Sequence, residues 1–214
     1  MNEKIALVAG ATGLVGRQVV ELLLGDSRYR QIMVIARRPL DFQHSRLITL
    51  LIKDFDGLAQ HDWHAHDVFC CLGTTMRQAG SKEAFRQVDF DYVVMLARES
   101  HRRGIANFLL VSALGANERS SVFYNRVKGE VEAEVSRVGF SRVVIVRPSL
   151  LLGNRKESRL GEDIGKVVAR YLSWLIPVRY RAIESNKVAR ALVHYANQTN
   201  PGVFIHESSE LHSF

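Results

Sequence analysis

The 214-residue sequence predicts an α/β fold in which helices cover both faces of a doubly wound parallel sheet. Two observations predict it: short runs rich in Val, Ile and Leu alternate with segments of helical periodicity, and a glycine-spaced turn follows the first run. This alternation is typical of βαβ units, whose strands are buried on both faces. We expect a single domain over residues 1–214, because a chain of this length buries a sizeable core.

The apolar runs define the strands in chain order. They cover residues 5–9, 32–36, 47–52, 68–72, 108–112 and 143–146, with 203–205 as a candidate final strand. Helical spacing extends over residues 17–24, 81–102, 121–137 and 186–197. No helix is evident between the second and third runs, so we expect a loop there. Right-handed crossovers favour the Rossmann-type strand order 3-2-1-4-5-6, and residues 150–214 are expected to complete a substrate cleft.

The turn GATGLVG, residues 10–16, connects the first strand to the first helix. Gly10 permits a tight turn, Gly13 leaves the backbone open to a pyrophosphate, and Gly16 lets the helix pack closely on the strand. The free N–H groups at the start of the helix then face the phosphates. The spacing G-x-x-G-x-x-G differs from the commoner G-x-G-x-x-G, and a glycine-rich loop without a ligand is the alternative.

An acid–base site is predicted by Tyr124 and Lys128, which lie four residues apart and so share one helix face. A neighbouring ammonium stabilises a phenolate, which makes the tyrosine a usable acid–base group near neutral pH. The lysine can also hydrogen-bond a ribose hydroxyl. Ser112 ends the fifth predicted strand, where it can hold a substrate carbonyl oxygen. The alternatives are a solvated surface pair and an ordinary strand-end hydroxyl.

This ordered set of glycine turn, strand-end serine and Tyr-x-x-x-Lys resembles the atypical, extended-like branch of the short-chain dehydrogenase/reductase superfamily. The segments 69–75, 88–93, 127–132 and Arg147-Pro148 are similar to the family of Tat-interacting, metastasis-suppressor proteins and their bacterial relatives. The resemblance covers essentially the whole chain and implies bound NADPH. It implies the catalytic trio Ser112, Tyr124 and Lys128, and phosphate contacts at Gly10, Thr12, Gly13, Leu14, Val15 and Gly16.

One departure from the superfamily pattern concerns the fourth helix. Many members carry an asparagine there that completes a proton relay. In this chain Asp89 or Asp91 occupies that neighbourhood, so a relay through this side chain is in doubt.

The choice of cofactor depends on Arg37 and Arg38, about twenty residues beyond the glycine turn. A carboxylate at this position would suit an NAD ribose, whereas guanidinium groups suit a 2′-phosphate. We therefore predict NADP(H), with a surface arginine pair before Pro39 as the alternative. Largely from the resemblance, further cofactor contacts are expected at Asp54, Phe55, Leu72, Gly73, Thr74, Val111, Pro148 and Leu150.

Together these features predict an NADPH-dependent oxidoreductase that acts on a carbonyl-type small molecule. The first alternative is an NADPH-responsive regulatory or protein-interaction module with little turnover. The second is a dehydratase, epimerase or other reaction without net redox change. The resemblance leaves monomer and homodimer open, and allows protein partners.

The composition disfavours several other classes of function. The formal charge is +7, but the basic residues are scattered and their densest groups are pairs, so we predict no nucleic-acid binding. No apolar run is long enough to span a bilayer, so we predict no membrane insertion. Three histidines at residues 61, 64 and 66 are expected in a solvated turn around Trp63, and no metal site is predicted. Glu130, Glu132 and Glu134 are expected on a solvated helix face.

The compartment is predicted from the cysteines and from the start of the sequence. Cys70 and Cys71 are adjacent in a predicted strand and point to opposite faces, so they are poor disulfide partners. This usage fits a reducing compartment. The first strand follows Met1 after only a few residues, which predicts that no signal peptide precedes the fold. We therefore expect a cytoplasmic protein.

Overall fold

The computed structural model describes residues 3–153 and 177–214. Within these ranges the strands are β1 (Lys4–Ala9), β2 (Tyr29–Ala36), β3 (Leu47–Leu51), β4 (Asp67–Cys70), β5 (Asn107–Val111), β6 (Arg142–Arg147), β7 (Leu151–Leu152), β8 (Ile183–Glu184) and β9 (Gly202–Glu207). The helices are α1 (Leu14–Leu24), α2 (Met76–Ala79), α3 (Lys82–Arg86), α4 (Tyr92–Arg102), α5 (Phe123–Arg137), α6 (Ser185–Ala196) and α7 (Ser208–Leu211). A π-helical turn, Gln87–Asp91, joins α3 to α4.

The main sheet has the order β3-β2-β1-β4-β5-β6-β9, and all neighbouring strands in it are parallel. This confirms the predicted order 3-2-1-4-5-6 and adds β9 beyond β6. The connection from β2 to β3 contains no helix, as expected from the sequence. The short strands β7 and β8 form a separate parallel pair.

Apolar side chains on the two faces of the sheet form two hydrophobic cores. In β1, Leu7 points into the core beneath α4 and α5, while Val8 points into the core beneath α1 and α6. The sheet is therefore covered by helices on both faces, as predicted. Each buried side chain of this size contributes about 1.5–3 kcal/mol to stability.

A buried polar cluster lies at the amino ends of the central strands and is called the amino-edge cluster below. Asp67 accepts hydrogen bonds from the Tyr29 hydroxyl at 2.6 Å, the Asn107 amide at 2.7 Å and the Lys4 ammonium at 3.0 Å. Lys4 and Asn107 also donate to the carbonyl oxygen of Ala196, both at 3.1 Å. The cluster thereby fastens the end of α6 to four strands.

The prediction of a solvated turn around Trp63 is wrong for the side chain of the tryptophan. The Trp63 side chain is buried, its Nε1–H donates to the Leu58 carbonyl oxygen at 3.2 Å, and the Arg103 guanidinium stacks on its ring at 4.4 Å. His66 Nδ1 accepts the backbone N–H of Ile5 at 2.9 Å. The segment therefore closes the core beneath α4 and α5. The described part of the chain contains no group of side chains that could hold a metal ion.

Candidate active site

The glycine turn after β1 requires glycine at two of its three glycine positions. Gly10 has a φ of +83°, and a Cβ there would overlap the carbonyl oxygen of Cys71. A Cβ at Gly16 would overlap the carbonyl oxygen of Gly10, so α1 packs directly on the turn. At Gly13 the nearest atom to an added Cβ is the Gly10 oxygen at 3.3 Å. A side chain at Gly13 would therefore be tight against this oxygen alone, whereas the other two glycines are required by the fold.

The first turn of α1 has the chemistry of an anion site. Among the described residues no side chain caps this helix, and its first turn contains no acidic residue. Its first backbone N–H groups therefore have no partner within the helix. Thr12 is exposed at the turn, Leu14 packs near Gly153, and Val15 has its side chain in the core. Val15 can consequently offer a ligand its backbone but not its side chain.

The end of β2 is basic and open. Arg37 and Arg38 are exposed and form no ion pair with other described residues. The nearest acidic side chain downstream, Asp41, is paired with Arg17 at 3.2 Å, and Arg17 also pairs with Glu21 at 3.3 Å. The two free guanidinium groups therefore dominate the local charge.

After β3, the two predicted adenine contacts differ in their surroundings. Asp54 is exposed, and it precedes a 3₁₀ turn. Phe55 is buried, and its ring stacks on that of Tyr92 with centroids 4.9 Å apart. One face of the Phe55 ring is thus already occupied by protein.

The loop after β4 runs beside the lysine of the predicted acid–base pair. Gly73 is exposed, and a Cβ there would lie 3.5 Å from Asp89 Oδ1 and 3.8 Å from Lys128 Nζ. Thr74 donates its backbone N–H to Asp89 Oδ2 at 2.7 Å. Leu72 is half-buried and packs against the core on the α4 side. The loop is therefore held by Asp89 while Gly73 leaves its surface accessible.

Lys128 forms a buried ion pair with Asp89, with Nζ 2.7 Å from Oδ1. Burial alone lowers the pKa of Lys128, but the Asp89 carboxylate and the nearby Tyr124 outweigh it, so this pKa is raised above its ordinary value. Asp91, two residues beyond Asp89, is exposed. Of the two aspartates considered from the sequence, only Asp89 reaches the lysine.

Tyr124 is half-buried at the start of α5, with its ring 5.5 Å from that of Phe85. Within residues 3–153 and 177–214 its hydroxyl has no hydrogen-bond partner. Tyr124, Lys128 and Glu132 follow one another at spacings of four residues along the face of α5 that meets the sheet. The tyrosine hydroxyl is thus available at one end of a polar stripe.

Ser112 contacts the opposite end of that stripe. Its hydroxyl is buried and donates to Glu132, and Glu132 is held by Arg147 through an ion pair of 2.6 Å. Arg147 also pairs with Glu207 in β9 at 2.9 Å, and the hydrogen bonds that it donates to Glu132 raise the pKa of Arg147. Glu132 lies about two helical turns beyond Tyr124. The structure therefore contains no contact between Ser112 and Tyr124 among the described hydrogen bonds.

Glu132 was not identified from the sequence, and its placement on a solvated face is wrong. Its neighbours Glu130 and Glu134 do lie near the surface, where they pair with Arg86 and Arg98. The four-residue spacing from Lys128 is the signal that could have identified Glu132, since it repeats the spacing from Tyr124 to Lys128.

A glycine on α5 explains how this helix reaches the site. A Cβ at Gly129 would overlap the backbone of Asn117 and Glu118, so the segment after β5 crosses directly over the helix. Any larger residue would separate the two. This close approach fixes Lys128 and Glu132 on either side of Gly129, and sequence analysis did not identify it.

The remaining predicted cofactor contacts lie at the same edge of the sheet. Val111 ends β5, and Pro148 follows β6. The backbone N–H of Leu114 donates to the Pro148 carbonyl oxygen at 2.9 Å, which joins the two loops. Leu150 is strongly exposed. The predicted residues therefore converge on the carboxyl edge, although Ser112 and Phe55 are engaged by protein groups.

Comparison with known proteins identifies the family of the chain. A family model described as NAD(P)H-binding matches residues 10–199. Protein HTATIP2 of Rattus norvegicus is 39% identical over 171 residues, which cover 78% of this chain and 70% of the relative. Protein FMP52, mitochondrial, of Candida albicans is 32% identical over 200 residues, covering 89% and 87% of the two chains.

Solved structures with the same fold include two nucleotide-binding enzymes. A UDP-N-acetylglucosamine 4-epimerase from Methanobrevibacter ruminantium M1 has a TM-score of 0.71 at 19% identity, covering 97% of this chain and 77% of its own. The Bordetella bronchiseptica enzyme WbmF, in complex with NAD+, has a TM-score of 0.70 at 13% identity, covering 99% and 77%. At these identities the likeness concerns the fold alone.

The predicted location is corrected by the same comparison. Fungal relatives from Candida albicans, Debaryomyces hansenii and Scheffersomyces stipitis are named as mitochondrial proteins, so the expectation of a cytoplasmic location is wrong. In the described ranges, none of the helices combines the length and apolar character needed to cross a bilayer.

The glycine turn, the matched family model and the relative at 39% identity agree with one another. The chain belongs to the NAD(P)H-binding protein family.

Proposed function

We propose that this protein is an NADPH-dependent reductase of a carbonyl-type substrate. The main support for this proposal is that the loop after β4 contacts both the glycine turn and the acid–base pair. Gly10 lies against the backbone of Cys71, and Gly73, two residues later, lies beside the Lys128 ammonium. A dinucleotide needs this adjacency, because its diphosphate and its nicotinamide ribose bind at neighbouring strand ends.

The residues present fit such a cofactor. The uncapped first turn of α1 and the lack of a side chain at Gly13 suit a diphosphate. Lys128 beside the exposed Gly73 suits a ribose hydroxyl. When bound, the reduced nicotinamide supplies a hydride to the carbonyl carbon of the substrate.

Tyr124 supplies the proton in this proposal. Its hydroxyl has no hydrogen-bond partner among the described residues, and the residue is only half-buried at the start of α5. The hydroxyl is therefore accessible to a substrate oxygen. The hydroxyl donates its proton to the oxygen that gains charge as the carbonyl is reduced. The Lys128 ammonium, one helical turn away, stabilises the phenolate that is left behind.

A preference for NADPH over NADH is supported by the charge at the end of β2. Arg37 and Arg38 are exposed without ion-pair partners among the described residues. The Asp41 carboxylate, which would repel a 2′-phosphate, is paired with Arg17 at 3.2 Å. Guanidinium groups bind phosphate dianions through charge-assisted hydrogen bonds.

The test compares wild-type protein with Tyr124→Phe. We expect NADPH to bind both with similar affinity, measured by calorimetry. We expect NADPH oxidation across a carbonyl panel to fall at least about 100-fold in the variant, because the acid is removed while the ribose contacts stay. Unchanged turnover in Tyr124→Phe would exclude the assigned mechanism.

One observation favours a second function, an NADPH-responsive protein-interaction module with little turnover. Ser112 gives its only hydroxyl proton to Glu132, so it does not face Tyr124 as a carbonyl donor. NADPH binding without oxidation against any panel member, together with a set of captured partner proteins that changes with NADPH, would support this function over the reductase.

A further inference from the structure

The buried pair of Asp89 and Lys128 contains a carboxylate that the proposed reaction does not use. Its Oδ1 lies 2.7 Å from the Lys128 ammonium, and its Oδ2 accepts the Thr74 backbone N–H at 2.7 Å. Asp89 is fully buried, and only 6% of the Lys128 side chain is exposed. The carboxylate therefore connects a loop and a lysine that both face the proposed cofactor site.

The backbone places Asp89 there by a local irregularity. It lies in the π-helical turn Gln87–Asp91, between α3 and α4. Such turns are rare and occur frequently at functional sites. Asp91, in the same turn, is exposed and has the same charge. The turn thus directs one of two closely spaced aspartates inward.

Physical chemistry makes Lys128 depend on this partner. A buried ammonium without a counter-charge loses its proton readily, because burial penalises the charged form. The titratable groups that face Lys128 are Asp89 from the π-helical turn, Tyr124 from its own helix and the Cys70 thiol from β4. Burial raises the pKa of Cys70 to about 12, so this thiol is neutral near physiological pH and cannot replace Asp89.

We propose that Asp89 is a positioning residue whose carboxylate fixes the charged Lys128 ammonium against the Gly73–Thr74 loop before the cofactor binds. The inference depends on the proposed function in that Lys128 contacts the cofactor ribose. It goes beyond that function because it assigns the charge of Lys128 to Asp89. No proton passes through Asp89 in this role.

Asp89→Asn tests the inference, with Asp91→Asn as the matched control. An amide can still accept the Thr74 N–H, but it cannot balance a buried ammonium. The first readout is the ¹³Cε resonance of Lys128 in cofactor-free protein titrated with pH, assigned by its loss in Lys128→Met. We expect a midpoint above the ordinary lysine value in wild type and Asp91→Asn, and a clearly lower one in Asp89→Asn.

The second readout is NADPH affinity at pH 7 and pH 9. NADPH has no group that titrates between these values, so a change reports on the protein. We expect affinity in wild type and Asp91→Asn to change less than about 3-fold. We expect Asp89→Asn to bind NADPH at least about 10-fold more weakly than wild type at pH 9, because an ammonium contact to the ligand is lost.

The first readout needs neither cofactor nor turnover, so it separates this inference from the proposed function. An unchanged Lys128 midpoint in folded Asp89→Asn would overturn the inference, even if the melting temperature falls. If Asp89→Asn does not fold, Asp89→Glu replaces it. The inference then requires a Lys128 midpoint that stays raised, with NADPH affinity weakened by displacement of the ammonium. A normal affinity in Asp89→Glu would contradict it.

Discussion

The amino-edge cluster and the Asp89–Lys128 pair lie at opposite edges of the same sheet, and both contain a buried aspartate. Asp67 accepts from three side-chain donors, all on strands of the same sheet. Asp89 accepts from a loop N–H and pairs with an ammonium that lies beside an exposed glycine. The Asp67 carboxylate is hydrogen-bonded to side chains that serve the fold, whereas the Asp89 carboxylate contacts groups that face the open carboxyl edge.

The two lysines differ in the same way. Lys4 has 31% of its side chain exposed and can remain hydrated, whereas Lys128 has 6% exposed and depends on its partner for its charge. Burial of a charged pair therefore does not by itself mark a functional site. What distinguishes the carboxyl edge is that it also holds groups without partners among the described residues, the Tyr124 hydroxyl and the start of α1.

The largest expected effect comes from a substitution that breaks the amino-edge cluster. Asp67→Ala leaves the Tyr29 hydroxyl, the Asn107 amide and the Lys4 ammonium without their shared acceptor. We expect the free energy of unfolding to fall by about 3–5 kcal/mol, measured by urea denaturation. NADPH affinity of the folded fraction should stay within about 2-fold of wild type. A selective loss of NADPH affinity with normal stability would contradict the structural assignment of this cluster.

A smaller effect, the pH dependence of stability, further tests the structural role of the amino-edge cluster. Burial and the neighbouring Asp67 raise the pKa of Tyr29 above its ordinary value of 10.0. Above pH 10 the unfolded state therefore loses a proton that the folded state keeps, so stability is present below pH 10 and falls as the pH rises. The slope for one such group is about 1.4 kcal/mol per pH unit.

Urea denaturation at pH 9 and pH 11 measures this effect. Tyr29→Phe removes the titrating hydroxyl, so its free energy of unfolding should fall by about 1.4 kcal/mol less than that of wild type between the two pH values. Tyr124→Phe is the control, because its hydroxyl is not part of the amino-edge cluster. Equal alkaline losses in wild type and Tyr29→Phe would show that the Tyr29 proton is not retained on folding.

Much of the fold could be predicted because parallel strands are buried on both faces. Apolar runs such as residues 5–9 can only fit between two helical layers, and the strand order follows from short right-handed connections. The glycine turn was predictable for the same local reason, since Gly10 and Gly16 meet backbone atoms only a few residues away or on the adjacent strand.

The parts that could not be predicted depend on contacts between distant segments. The burial of Glu132 requires Arg147 on β6, and the need for Gly129 arises from the crossing of the segment at residues 117–118. The choice between Asp89 and Asp91 depends on a π-helical turn, which changes the face that each residue occupies. Helical periodicity alone contains none of this information.

The central claim is that the turn after β1 binds the diphosphate of NADPH, and one calorimetric comparison tests it directly. An added Cβ at Gly13 meets only the Gly10 carbonyl oxygen, at 3.3 Å, and a backbone shift of a few tenths of an ångström accommodates it, so Gly13→Ala should still fold. The methyl group would occupy the space proposed for the diphosphate, and we expect NADPH to bind about 30-fold more weakly than to wild type. Equal NADPH affinity in folded Gly13→Ala, or no binding heat in wild type, would contradict the account.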